Sequence, residues 1–353
     1  MWIENKILRE DLEYVVSRPY IKWQRMENKT VLVTGGTGLI GSYFINSLLY
    51  YNRCHTNKIH VVALVRDCEK ARIKFKRQLE EQLPYLKLIQ GAVENLPKID
   101  GNIDFILHAA SPTSSSFFVA NPVETILISI KGTWNLLRLA IKKHAEGMVY
   151  LSSMEVYGPV HSEEKVGEMH PSYIDTMSAR NSYPESKRLC ESLCASYYKE
   201  YKVPVNCIRL TQTFGPGIRY DDQRIFAMLI RCAVQQNNIE LLTEGKTKRS
   251  YLYLADAATA ILTVMTHDEY GQVYNAANDK TYCSIREMAE MVARVVANGN
   301  IKVLVKTESP SSTEKFMPEL YMNLDVQKLM QLGWKAENSL DKMFVRTIES
   351  LQR

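Results

Sequence analysis

Long apolar runs are missing from this 353-residue chain: no stretch approaches the ~18 uninterrupted apolar residues that a membrane-spanning helix needs. The opening MWIENKILREDLEYVV scatters acids and bases and lacks the basic start and clean apolar block of a secretory signal, so the expectation is a cytoplasmic protein with no membrane partner. Seven cysteines form no CxxC pair and no regular spacing. Their odd number fits reduced, mostly packed thiols better than a disulfide framework. No His/Cys/Asp cluster has metal-ligand spacing, so no metal is expected. The net charge is only +5, and no Lys/Arg block is interleaved with aromatics. That sets nucleic acid aside, while an anionic small substrate would suit the balance equally well. Repeats and low-complexity segments are absent as well.

What is present is an alternation of short apolar segments and helical patterns. TVLVTGG (30–36), KIHVVALV (58–65), LKLIQGAV (86–93), DFILHAAS (104–111) and MVYLSS (148–153) read as strands. Helical spacing over 40–51, 68–83 and 122–143 separates them. This pattern predicts an α/β protein with a doubly wound parallel sheet covered on both faces. After about residue 205 the alternation weakens: VNCIRL (205–210) reads as a strand, 250–267 as a short strand and a helix, and the remainder as helical with irregular links. A smaller, interleaved C-terminal lobe is therefore expected. The division read from the pattern is an N-terminal helical extension at 1–28, a large domain at 29–205 plus about 250–275, and a second lobe at 206–249 plus 276–353. The apolar spacing at 3–17 predicts an amphipathic helix packed on its own domain or on a partner, the former being favoured.

The glycines of VLVTGGTGLIG stand at a strand-to-helix junction, as Gly35, Gly38 and Gly41. A tight turn, a bare backbone near a ligand and close strand–helix packing each exclude a side chain. A pyrophosphate can then lie on the free N–H groups and positive dipole end of the helix. The loop, with Thr37, Leu39 and Ile40 between the glycines, points to a dinucleotide. At the end of the second strand, Arg66 occupies the place where NAD binders carry an acid for the ribose hydroxyl. An arginine suits a 2′-phosphate, so NAD or NADP is the expected cofactor, with a lean to NADP. Asp67, one residue on, is the alternative ribose ligand. SYPESK sets Tyr183 and Lys187 on one helix face, where an ammonium can lower the phenol pKa and a phenol can exchange a proton with a hydroxyl. The same spacing recurs at Tyr198 and Lys202, read as a surface face. Ser153 ends a strand at the ligand-binding edge of such a sheet.

TGGTGLIG, HAASP (108–112), the helix carrying GTWNLLRLA (132–140), SSMEVYG (152–158) and YPESK (183–187) together resemble the extended short-chain dehydrogenase/reductase family, in order and over residues 29 to 350. That resemblance implies a Rossmann-type sheet with a substrate lobe, and an enzyme acting on a nucleotide-diphosphate sugar through transient oxidation at C4. In it Tyr183 moves the C4 hydroxyl proton, Ser153 polarises that oxygen, and Lys187 tunes Tyr183 and holds the ribose. Ala109, Ala110 and Ser111 line the cofactor. Ser114, Arg180, Gln212, Arg219, Arg224 and Arg249 fall at substrate-binding positions. A homodimer through the helices at 122–143 and 182–201 is also implied.

Glu155 resembles the glutamate of SxExY or TxExY in 4,6-dehydratases and UDP-glucuronate decarboxylases; the plain alternative is an exposed carboxylate after a strand. Met154 stands where the dTDP-glucose dehydratases carry a proton-donating acid, and a thioether donates none. Decarboxylase- or dehydratase-type chemistry therefore ranks first, epimerisation second and NADPH-dependent 4-keto reduction third. A non-catalytic nucleotide-binding module is the remote rival. The chain departs from the family at Gln212, Ser129 and Ala92, and KFMPELYMNLD (315–325) lacks the arginine that decarboxylases carry there. Arg180 or Arg249 could supply a cation for a sugar carboxylate instead. His108 and His161 read as packed or surface histidines rather than bases.

Overall fold

The computed structural model describes residues 4–82, 84–306 and 319–351. Helix α1 (Lys6–Val16) leads to β1 (Thr30–Thr34), α2 (Leu39–Cys54) and β2 (His60–Val65). Helices α3 (Cys68–Lys74) and α4 (Lys76–Gln82) precede β3 (Leu86–Gln90) and β4 (Phe105–His108). The short α5 (Ser115–Ala120) and long α6 (Pro122–Lys143) lead to β5 (Gly147–Ser153), and α7 (Ser182–Tyr201) to β6 (Val205–Leu210). Then come β7 (Gln212–Phe214), α8 (Ile225–Gln235), β8 (Ile239–Leu241), β9 (Lys248–Tyr253), α9 (Leu254–Thr266) and β10 (Val273–Ala276). The chain continues through β11 (Asn278–Ser284), α10 (Ile285–Met291), β12 (Val303–Val305), β13 (Tyr321–Met322), α11 (Gln327–Met330) and α12 (Leu340–Leu351).

Seven strands pair in parallel in the order β10-β6-β5-β4-β1-β2-β3. The direction of winding reverses between β1 and β4, which opens a crevice at their C-terminal ends. Strand β1 is apolar throughout because both of its faces are covered. Val31 and Val33 face a core built with α2 and α9, while Leu32 faces a second core with α6 and α7. A smaller sheet, β11-β9-β13 with β7 beside β9, forms the second lobe, and β8 pairs with β12. Among the described residues, no helix is long and apolar enough to cross a membrane.

Three expectations shift. The helix foreseen at 68–83 divides around Phe75, fully buried between α3 and α4. The later part of the chain, read as helical, carries six further short strands, β7, β8 and β10 to β13. Pieces of two to seven residues, several of them paired with distant segments, leave no periodicity to read. The divisions at 205 and 250 also move: β6 belongs to the large sheet and β9 to the small one. Helix α1 packs on its own chain, with Leu12 and Val15 buried against the core and neighbours in α2, α9 and α12. Residues 315–318 of the late motif lie outside the described residues.

Candidate active site

The glycine loop is shaped by backbone contact. Gly35 has φ +66°, and a Cβ there would lie 2.8 Å from the Ala110 nitrogen and 2.9 Å from the Ala109 carbonyl. A Cβ on Gly41 would lie 2.3 Å from the Gly35 oxygen. These contacts hold α2 against the β1 and β4 ends. Gly38 is the N-cap of α2, and no side chain caps that terminus. Leu39, Ile40 and Gly41 thus begin the helix with N–H groups directed at the crevice. Ser111 Oγ, just beyond β4, is buried with no hydrogen-bond partner among the described residues. Lys74 Nζ reaches across from α3 to the Thr37 carbonyl at 2.8 Å. The uncapped terminus, the bare glycine cradle and the orphaned hydroxyl fit a dinucleotide pyrophosphate.

His108 is buried at the end of β4, between Thr34 Oγ1 (3.0 Å from Nδ1) and Thr133 Oγ1 (3.2 Å from Nε2). Burial, with the nearby Lys187 charge, pulls its pKa down to about 3. It is a neutral strut that aligns β1, β4 and α6. At the C-terminal end of β2, Arg66 is exposed, while Asp67 caps α3 by accepting from Lys70 N at 3.0 Å.

Ser153 ends β5 and accepts from Glu155 N at 3.2 Å. Its hydroxyl is close enough to the Tyr183 phenol to draw that phenol's pKa down. Phe118 stacks on the Tyr183 ring at 5.2 Å between centroids, 14° between planes. Lys187 is buried one turn along α7 and donates to the Leu151 carbonyl at 2.6 Å. Burial lowers its pKa to about 8. Burial and then the Glu155 charge push the Tyr183 phenol well up, with Ser153 and Arg224 pulling it partly back. The Lys187 ammonium lies 5.7 Å from the Tyr183 ring centroid. Burial likewise raises Glu155, offset by Arg249, Lys187 and Arg180 in that order. Met154 points away, buried in the core with Thr211 Oγ1 donating to its sulfur at 3.3 Å.

The remaining arginines divide. Arg249 Nε and Gln212 Oε1 are buried without a partner among the described residues, on paired strands β9 and β7. Arg224 is paired with Asp222 at 2.6 Å and its charge still reaches Tyr183. Arg180 is exposed. Arg219 points outward, paired with Asp221, and Ser114 Oγ is bonded to Ser116 Oγ at 2.7 Å. Phe118 and Lys74 had not been foreseen. Phe118 sits in a short helix without periodicity, and Lys74 in a charged helix whose bases look alike in sequence.

Among the described residues no group of His, Cys, Asp and Glu could hold a metal ion. Parallel sheet, winding reversal and glycine cradle together define an α/β protein of the dinucleotide-binding class. The chain belongs to the NAD dependent epimerase/dehydratase family, whose model matches residues 31–277. It is 27% identical to UDP-glucuronic acid decarboxylase 1 of Xenopus tropicalis, over 99% of this chain and 79% of that one. It is also 27% identical to the dTDP-D-glucose 4,6-dehydratase of Mus musculus, over 91% and 88%. Among solved structures, the UDP-glucuronic acid 4-epimerase of Bacillus cereus, in complex with UDP-glucuronic acid and NAD, superposes with a TM-score of 0.75 at 20% identity, covering 92% of this chain and 99% of that one.

Proposed function

We propose that the chain is a lyase acting on a nucleotide-diphosphate-linked uronic acid, removing its C5 carboxylate as CO₂. The observation that carries the reading is Glu155, two residues past Ser153, within the fields of Arg249, Lys187 and Arg180 while Met154 is turned into the core. When bound, the dinucleotide supplies reversible hydride transfer. Tyr183 exchanges a proton with the sugar C4 oxygen while Ser153 holds that oxygen. A C4 ketone lies β to the carboxylate, so the C5–carboxylate electron pair can move to O4 as CO₂ leaves. Glu155 then handles the proton at C5, and Arg249 or Arg180 supplies the cation that a carboxylated substrate requires. Cofactor is not consumed. Dehydration of the dTDP-glucose type is disfavoured, because residue 154 is a thioether facing the core.

Two finer readings accompany this one. Arg66, exposed at the β2 end, and Lys74 beside the glycine loop support NADP over NAD, with Asp67 engaged as a helix cap. If NADPH were consumed in each turnover, the same site would serve as a 4-keto-sugar reductase. The α6–α7 face leaves Val123 (69%), Leu127 (45%) and Leu189 (51%) exposed, which supports a homodimer. Free cysteines throughout the described residues support a reducing, cytoplasmic setting.

Purified protein incubated with UDP-glucuronate is expected to release CO₂ and a nucleotide pentose with no net change in nicotinamide absorbance. Tyr183→Phe is expected to bind cofactor and lose turnover by about 10²-fold or more. No CO₂, but steady oxidation of NADPH with a 4-keto sugar, would replace the lyase by the reductase.

A further inference from the structure

We infer that Tyr150 is a positioning residue for Lys187: its ring, buried on β5, supplies the face on which the ammonium is held in its charged form. The inference rests on the proposed reaction, with Lys187 in the role the resemblance implies, tuning Tyr183 and holding the ribose. Lys187 Nζ stands 4.7 Å from the Tyr150 ring centroid, closer than to the Tyr183 ring at 5.7 Å. Both residues are nearly sealed from water, Tyr150 at 1% and Lys187 at 3% exposure. An ammonium carries three donors, and the Leu151 carbonyl takes one. The nearest further contact that favours the cation is the Tyr150 π face.

The charged and titratable groups around this ammonium offer little else. On α7, Glu191 is drawn to Arg209, which it meets at 2.7 Å, and burial raises Cys190. Cys194, also on α7, together with burial raises Cys207 on β6. On β4, His108 is neutral and stands on the Tyr150 ring at 5.4 Å between centroids, tilted by 54°. Glu155, past β5, has its charge countered first by Arg249, and Tyr183 is held protonated. Burial, partly offset by the field of Glu191 and the neighbouring cysteines, leaves Lys187 at about 8. A desolvated π face is worth roughly one further pH unit to such a cation. Without it the lysine would lose its proton in the neutral range.

The test compares Tyr150→Leu, which removes the face, with Tyr150→Phe, which keeps it. Lys187 is titrated directly by NMR of the protein with ¹³Cε-lysine, its signal assigned by Lys187→Arg. Turnover with UDP-glucuronate is followed across pH alongside. Tyr150→Leu is expected to move the Lys187 midpoint from about 8 to about 7. Turnover should then fall roughly five-fold relative to wild type at about pH 8 and match it at about pH 6. Tyr150→Phe should follow the wild-type curve. Tyr150→Met fills the volume without a π face and serves where leucine leaves the chain unfolded. An unmoved midpoint in the leucine or methionine variant, or an equal shift in the phenylalanine variant, overturns the inference. Absence of turnover in the wild type would instead overturn the proposed reaction, and the titration would still decide the role of Tyr150.

Discussion

Gly41→Ala sets two effects against each other at one atom. Gly41 is in the first turn of α2, and alanine in a helix is favoured over glycine by about 0.5–1 kcal/mol. The added Cβ, however, would stand 2.3 Å from the Gly35 oxygen and 3.0 Å from the Gly35 carbonyl carbon. Ordinary contact begins about 1 Å further out, and both offending atoms are backbone, so no side chain can swing aside. Overpacking of this kind costs about 1–3 kcal/mol, which outweighs the helical gain and leaves a net loss of about 1–2 kcal/mol. The relief route matters more than the total. Opening the gap pushes the α2 N-terminus off the loop that would cradle pyrophosphate, and hydrogen bonds to a charged group are worth about 1.5–3 kcal/mol each. Affinity for NAD or NADP should therefore fall about ten-fold or more. Urea unfolding and cofactor titration read the two losses separately. Gly167→Ala is the control: nothing lies within 4 Å of its Cβ, and it should be neutral or stabilising by up to about 1 kcal/mol. A Gly41→Ala protein that binds dinucleotide like the wild type would refute the argument.

Acid sensitivity should trace in part to His108. Its folded pKa, about 3, lies below the 6.5 of a free imidazole. The unfolded chain binds this proton first, so the contribution is full above about pH 6.5 and is lost as pH falls toward 3. Between about pH 6.5 and 5 that amounts to about 2 kcal/mol. In His108→Gln, the unfolding free energies at the two pH values should lie closer together by that amount; an equal loss in both proteins would sink the assignment. Arg66→Asp should turn the NADP-to-NAD affinity ratio toward NAD by about 10- to 100-fold, with Lys74→Ala moving it the same way by less. An unchanged ratio in equilibrium binding would mean that Arg66 does not read the 2′ position.

Much of the site was legible because its signals are local. A glycine triplet between a strand and a helix, two side chains four apart on α7 and a serine closing an apolar strand each depend on a few neighbouring residues. The short strands were not legible: β8 and β12 pair Ile239–Leu241 with Val303–Val305 across a long stretch of chain. Nor was the division of labour between Met154 and Glu155, adjacent in sequence, one in the core and one beside three cations. The pairing of Arg219 and Arg224 with Asp221 and Asp222 could have been suspected from RYDDQR, where opposite charges stand two residues apart.

By itself, the order of residues determined the βα winding, the glycine cradle and which ionisable groups the site contains, since these follow from local geometry and periodicity. Tertiary structure decided their states. Tyr183 is driven up, and Lys187 and His108 down, because sheet and helices together remove water from them. Desolvation belongs to the assembled core, and so does the Tyr150 ring that meets Lys187 from another element.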